Sequence, residues 1–156
     1  QFGVKPDVVT LAKGLAGGLP IGACLCSDGL KDTMSAGMHG STFGGNPVSC
    51  AAALYVLDRV SKPAFRTEVK EKGAYLREQL LALPHIKEVR GMGLMLGAVL
   101  DEGFAAGEIA VKCAKEGLLV LTAKALLRFL PPLTITKDEI DRGLAVLKTI
   151  LTREDS

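Results

Sequence analysis

The apolar residues of this chain fall into short runs and longer stripes, and their spacing predicts its elements. Val8 to Ala12 is a β-branched run after the breaker Pro6-Asp7 and reads as a buried strand. Gly22 to Ser27 reads as a second short strand, bounded by Pro20 and by Asp28-Gly29. Leu30 to Ala36 is expected to form a short helix, and His39 to Asn46 a loop loosened by Gly40, Gly44 and Gly45. Asn46-Pro47 marks a helix start, because the asparagine side chain can accept from first-turn N–H groups and the proline lacks only an N–H that has no partner there. Apolar side chains surround the helix that follows, from Val48 to Leu57, which predicts burial on every side until Asp58 and Arg59.

Ser61-Lys62-Pro63 breaks the pattern, and a domain boundary is expected there, dividing residues 1–62 from 63–156. From Phe65 to Leu83 the stripe Val69, Leu76, Leu80, Leu83 predicts an amphipathic helix. Ile86 to Val89 and Leu94 to Leu100 read as strands joined through Gly91-Met92-Gly93. Ala106, Ile109, Ala110 and Cys113 form a helical stripe that ends at Gly117, and Leu118 to Leu121 and Leu127 to Leu130 are expected to be further strands. Thr136-Lys-Asp-Glu139 is a capping box, followed on one helix face by Ile140, Leu144, Leu147 and Leu151. The alternation after Pro63 predicts an α/β layer with helices covering one sheet face.

Composition narrows the picture. Hydrophobic residues at 48% against 23% charged describe a packed chain rather than a disordered one, and 156 residues suffice for one domain with a real core. The net charge of +2 is spread without a basic block, and 4% aromatics offer little to stack on bases, so nucleic-acid binding is not expected. Cys24, Cys26, Cys50 and Cys113 are irregularly spaced and complete no metal-ligand pattern with His39 and His85; no metal is expected, and the cysteines read as reduced, buried thiols. With no signal segment and no apolar run long enough for a bilayer, a cytoplasmic protein is expected, without a membrane partner. The chain opens at Gln1, without methionine, almost directly into a strand, as expected of a piece of a longer protein.

The stretch with most chemical promise is Thr10 to Gly22. Lys13 stands at the exit of the first strand, and four glycines and a proline follow within nine residues, a turn that lets a flat ligand approach the backbone. A lysine amine attacks carbonyls only when deprotonated, so a pocket that desolvates Lys13 would make it a nucleophile. Ser41 and Thr42 lie in a glycine-flanked loop where hydroxyl and backbone N–H groups can meet an anion. Arg128 interrupts an apolar run just before Pro131-Pro132; from the residues alone, a structural ion pair and a bidentate carboxylate clamp are equally open. His39 reads as a loop hydrogen-bonder without a catalytic role, and Arg90 as a residue that fixes its loop.

Four segments resemble class III pyridoxal-phosphate aminotransferases, in that family's order. They are Lys5-Pro-Asp-Val-Val-Thr-Leu-Ala-Lys13-Gly, His39-Gly-Ser41-Thr42-Phe-Gly-Gly-Asn46-Pro47, Arg90-Gly-Met-Gly-Leu94-Met and Arg128-Phe-Leu-Pro-Pro-Leu133. Within the class they look most like the acetylornithine branch. The resemblance implies an α/β chain that is the C-terminal part of a fold type I transferase: the end of the large, cofactor-binding domain followed by the small C-terminal domain. It implies Lys13 as the catalytic residue that carries pyridoxal 5'-phosphate covalently, and Thr42 as the residue that binds the cofactor phosphate of a partner subunit in a homodimer. It further implies Ser41 as a substrate contact and Arg128 as the clamp for a substrate α-carboxylate. The implied reaction moves an amino group from N2-acetylornithine to 2-oxoglutarate, in arginine synthesis. Ornithine or 4-aminobutyrate transamination, or a catalytically silent fragment that only associates with other chains, are the alternatives. The family's phosphate-binding Gly-Thr turn, its ring-stacking aromatic and the aspartate of its Asp-Glu-Val-Gln segment all precede the lysine in such enzymes and are absent from this sequence. Thr122 to Leu127 also departs from the family pattern, lacking its glycine and one residue short, which bears on the reach of Arg128.

Overall fold

The computed structural model describes residues 2–153. Compact packing divides the chain after Phe65 into two units.

In the first unit, strand β1 (Val8–Leu11) pairs antiparallel with β2 (Ala23–Cys26), Val8 opposite Cys26 and Leu11 opposite Ala23. The Ser27 N–H donates to the Asp7 carbonyl at 2.8 Å and the Ser27 hydroxyl to the Asp7 carboxylate at 3.2 Å, closing the open end of the pair. A single 3-10 turn, Lys13–Ala16, follows β1, and a second, Asp28–Leu30, follows β2. The helix expected over residues 30–36 does not form; turns and bends occupy that segment. Leu30 and Met34 are its only large apolar residues, and neither is buried, so no tertiary packing offsets the cost of nucleating so short a helix. Helix α1 (Pro47–Ser61) starts as its sequence predicts: Asn46 Oδ1 accepts the N–H groups of Val48 at 3.0 Å and Ser49 at 3.2 Å.

The burial expected for α1 is not found. Only Ser49 and Ala53 are buried within it, while Val48, Leu54 and Tyr55 stand exposed. An all-round apolar helix needs neighbours on all sides, and in this unit α1 packs on the Lys13–Ala16 turn, where Ala16 is buried and Val56 approaches Gly17. The cysteine expectation is corrected for the same reason. Cys24 and Cys26 are exposed on β2, uncovered by other described residues; Cys50 is half-buried and Cys113 buried.

The second unit carries the core. Helix α2 (Pro63–Leu81) leads to strands β3 (Ile86–Met92) and β4 (Met95–Leu100), then helix α3 (Ala106–Lys115), strands β5 (Leu121–Ala123) and β6 (Leu126–Phe129), and helix α4 (Lys137–Arg153). The sheet has the order β3-β4-β6-β5, with every neighbouring pair antiparallel. Alternation along the strands gives it two unlike faces. Leu96, Ala98, Leu100, Leu127 and Phe129 form the inner face, packed in one cluster with Leu76 and Leu80 of α2, Ile109 and Cys113 of α3, and Ile140, Leu144, Leu147 and Leu151 of α4. Each fully buried leucine here contributes about 1.5 to 3 kcal/mol. Arg90, Gly97, Val99, Leu126 and Arg128 lie on the opposite, outer face.

The first strand expected after α3 is displaced. Residues 118–120 do not pair in the sheet, because the Leu118 N–H donates to the Cys113 carbonyl at 2.9 Å and closes the end of α3, with Gly117 at φ 83°. The capping box is present as its sequence predicts: the Glu139 carboxylate accepts from the Thr136 N–H and hydroxyl, both at 2.8 Å, and the Glu139 N–H donates to the Thr136 hydroxyl at 3.2 Å.

Candidate functional site

The first unit holds Lys13, Ser41 and Thr42. β1 delivers the chain to Ala12, and Lys13 then turns out of the strand with φ at 55°, in the left-handed region that side chains other than glycine seldom occupy. Holding a lysine there costs on the order of 1 to 2 kcal/mol, a strain that tends to gather at working positions. Two hydrogen bonds sustain the turn, Leu15 N–H to Ala12 carbonyl at 3.2 Å and Gly17 N–H to Gly14 carbonyl at 3.1 Å. The lysine side chain is exposed and makes no hydrogen bond or ion pair among the described residues. Beside it, Gly14 faces open space where a Cβ would stand. A free amine on a constrained backbone, next to an uncluttered glycine, fits a covalently held carbonyl cofactor. The desolvation that would favour its reaction is not supplied by the neighbouring residues of this unit.

Ser41 and Thr42 sit in the exposed loop that leads to Asn46. At Gly44 a Cβ would lie 2.9 Å from Ser41 Cβ, so the loop folds tightly over a glycine it requires. Neither hydroxyl is engaged by another described residue, and none of Lys13, Ser41 and Thr42 is hydrogen-bonded to another.

The second unit holds Arg128, in the middle of β6. It faces Gly97 of β4 on one side and Leu121 of β5 on the other. Its neighbours Leu127 and Phe129 point into the core, which sends Arg128 to the outer face, half-buried. The sequence left an ion pair and an anion clamp open; no acid pairs with Arg128 among the described residues. Arg128 also contributes to the wall of an open cavity of about 490 Å³ at the β5 edge, otherwise walled by aliphatic and aromatic residues such as Leu119, Phe129 and Ile140. The other charged residue there, Glu139, is already committed to capping α4. The shortened stretch before Arg128 closes as a two-residue hairpin turn, with Ala123 opposite Leu126 and Lys124 at φ 55°. Glycine is favoured at such a position, and a lysine holds it here.

Arg90 was expected to fix its own loop, but a different arginine does so. Arg77 of α2 reaches the β3–β4 turn, where its Nη1 donates to the Val89 carbonyl and its Nη2 to the Gly91 carbonyl at 2.7 Å. Four residues earlier on the same helix face, Gly73 lets α2 approach: a Cβ there would fall 2.4 Å from the Gly93 oxygen. Nothing in the sequence singled out Arg77, because it lies beside the apolar stripe like any solvated helix arginine. Arg90 is paired along its own strand with Glu88, Nε to Oε1 at 2.9 Å and Nη2 to Oε2 at 2.6 Å. The guanidinium, through its hydrogen bonds first and its charge second, holds the Glu88 carboxyl below its ordinary range.

The mixed α/β architecture, with a lysine leaving a strand into a glycine turn ahead of a small antiparallel domain, is the C-terminal part of a fold type I pyridoxal-phosphate transferase. Solved structures share it closely. N-acetylornithine aminotransferase from Stenotrophomonas maltophilia superposes with a TM-score of 0.84 at 39% identity, over 97% of this chain and 41% of that one. An ornithine aminotransferase from Toxoplasma gondii does so with a TM-score of 0.85 at 32% identity, over 98% and 38%. The chain belongs to the class III aminotransferase family, whose model matches residues 1–151. Among curated relatives, the acetylornithine aminotransferase of Haemophilus ducreyi is 53% identical over 152 residues, 97% of this chain and 38% of that protein. That of Aquifex aeolicus is 47% identical over 152 residues, 97% and 39%. The chain thus spans about two-fifths of the length of the curated relatives it matches.

Proposed function

We propose that this chain supplies the cofactor lysine and the carboxylate-binding arginine of an aminotransferase that moves the terminal amino group of N2-acetylornithine to 2-oxoglutarate, giving the semialdehyde and glutamate. The observation that carries the reading is the 53% identity, over 97% of the chain, to an acetylornithine aminotransferase. The free Lys13 amine and the unpaired Arg128 guanidinium support it. Pyridoxal 5'-phosphate, when bound, supplies an electron sink for the carbanion left by removing a proton beside the transferred nitrogen. Lys13 Nζ would hold the cofactor covalently, and its amine, when free, would take that proton from the substrate carbon and hand it back. Thr42 gives its hydroxyl to the cofactor phosphate of a second subunit in a cytoplasmic homodimer, and Ser41 touches substrate. Arg128 receives the substrate α-carboxylate through two parallel N–H donors, which fixes the amino acid against sliding. Division of labour between residues 1–62 as the end of the cofactor domain and 63–156 as the small domain belongs to the same reading.

Two measurements test it. Borohydride reduction of this polypeptide mixed with pyridoxal phosphate should fix the cofactor on the peptide containing Lys13; fixation at other lysines, with Lys13 unmarked, would refute the assignment. In a polypeptide completed by the upstream part of such an enzyme, a coupled transamination assay should favour acetylornithine over ornithine. Preference for ornithine would move the chain to the ornithine branch, to which the similar Toxoplasma structure belongs. No turnover with either donor would support a silent, associating fragment.

A further inference from the structure

The loop that leads to Ser41 and Thr42 is preceded by a turn held through a sulfur atom. Residues 35–38 form a β-turn in which the Met38 N–H donates to the Ser35 carbonyl at 3.2 Å. Gly37, the third residue, has φ at 86°, the left-handed value that a type II turn needs there. A second bond runs the other way: the Ser35 N–H donates to Met38 Sδ at 3.3 Å. Both polar groups of the Ser35 backbone are thus tied to Met38. A thioether is a weak acceptor, so the second tie depends on the Met38 side chain being folded back over its own turn.

The same sulfur is open to reagents, since Met38 is 67% exposed. A divalent sulfur carries two lone pairs, one on either side of its C–S–C plane. The Ser35 N–H engages one, and the exposure of the residue leaves the other to solvent. A hydroperoxide reacts at the free one. The sulfur lone pair attacks a peroxide oxygen, an S–O bond forms as the O–O bond breaks, and a proton passes to the leaving oxygen. Sulfur gives up two electrons and becomes a sulfoxide, and hydrogen peroxide is reduced to water. A methionine sulfoxide is chiral at sulfur, so blocking one lone pair favours one epimer. The new oxygen then points away from Ser35, and the electron-poor sulfur no longer accepts the Ser35 N–H.

We propose that Met38 is a modification site: a hydroperoxide oxidises it to one sulfoxide epimer, and the oxidation unties the turn from which the loop of Ser41 and Thr42 departs. Met34 supplies the contrast. It is 59% exposed, and its sulfur takes no hydrogen bond among the described residues, so it oxidises without preference for either epimer. The bearing of an untied turn on the reaction rests on the reading of Thr42 as a phosphate contact; the oxidation and its stereochemistry do not.

The test is partial oxidation of this chain with hydrogen peroxide, then digestion and repair of the peptides by the two methionine sulfoxide reductases, each of which reduces one epimer. By mass mapping that separates the two residues, one reductase should restore Met38 about threefold more completely than the other, and both should restore Met34 alike. Hydrogen exchange at the Ser35 N–H, read by NMR on the intact chain, should be about two- to threefold faster after oxidation. Met38→Leu keeps the apolar shape without the acceptor; its Ser35 N–H should exchange at the oxidised rate before any peroxide is added, and peroxide should not change it. Met34→Leu should leave the response of Ser35 to peroxide whole. Equal repair of Met38 by both reductases, or a Ser35 exchange rate unmoved by oxidation and by Met38→Leu, would overturn the inference.

Discussion

Replacing Gly73 by alanine sets two physical effects of opposite sign against each other. Helix propensity alone favours the change, since alanine in a helix interior is about 0.8 to 1 kcal/mol better than glycine. The structure opposes it. The new methyl would meet three backbone atoms of Gly93, the oxygen at 2.4 Å, the carbonyl carbon at 2.5 Å and Cα at 2.7 Å. Backbone cannot rotate aside as a side-chain tip can, so α2 must withdraw from the β3–β4 turn. That withdrawal would cost about 1 to 3 kcal/mol as overpacking, and would stretch the two charged hydrogen bonds that Arg77 makes to the same turn, each worth about 1.5 kcal/mol at its partly exposed site. After crediting propensity, a net loss of about 2 to 4 kcal/mol is expected. Native-state hydrogen exchange at the amides of Leu96 and Ala98 reads the opening of this unit separately from the first. The matched control is Gly107→Ala, on an exposed position of α3 with nothing within 4 Å of the new Cβ, which should be neutral or stabilising. Equal or greater protection in Gly73→Ala than in the parent chain would refute the close-packing argument.

Three other outcomes follow from particular contacts. Lys124→Gly should stabilise the second unit by about 0.5 to 1 kcal/mol, relief of a left-handed lysine less the backbone entropy of glycine, and a denaturant midpoint that falls would contradict the turn geometry. The Thr136 N–H, and then its hydroxyl, hold the Glu139 carboxyl below its ordinary 4.5. A depressed folded value means stability that is present above the unfolded value and lost as pH falls through the folded one, so Glu139→Gln should flatten the acid limb of the stability profile; an unchanged limb would show that the cap is not made in solution. Finally, the exposed apolar side chains of β1, β2 and α1, Val8, Leu25, Val48, Leu54 and Tyr55 among them, should drive self-association, and light scattering that finds a monodisperse monomer at high concentration would count against it.

The elements were most legible where local chemistry and burial agree. Asn46-Pro47 and Thr136 to Glu139 state their helix starts in residues that bond to their own backbone, and Leu76, Leu80, Leu144 and Leu147 repeat at a spacing that only a helix on a core satisfies. Legibility failed where a segment's state depends on something distant. Leu118 to Val120 has the apolar content of a strand, yet the closure of α3 takes the Leu118 N–H, which no periodicity reveals. Helix α1 reads as buried because its residues suit a place with neighbours on every side, and among the described residues of the first unit it packs mainly on the Lys13–Ala16 turn. The site divides the same way. Lys13 could be found because its glycines mark the chain at that point, whereas the direction of Arg128 is a property of register: Gly97 and Arg128 lie far apart in the chain, and only the pairing of β4 with β6 sets one opposite the other. A slip of one residue in that pairing would send the arginine to the core face. The sheet's buried alternation, with Leu96, Ala98 and Leu127 fixed inward, therefore also fixes the outward chemistry, and the packing of the core and the placing of the guanidinium group are consequences of a single register.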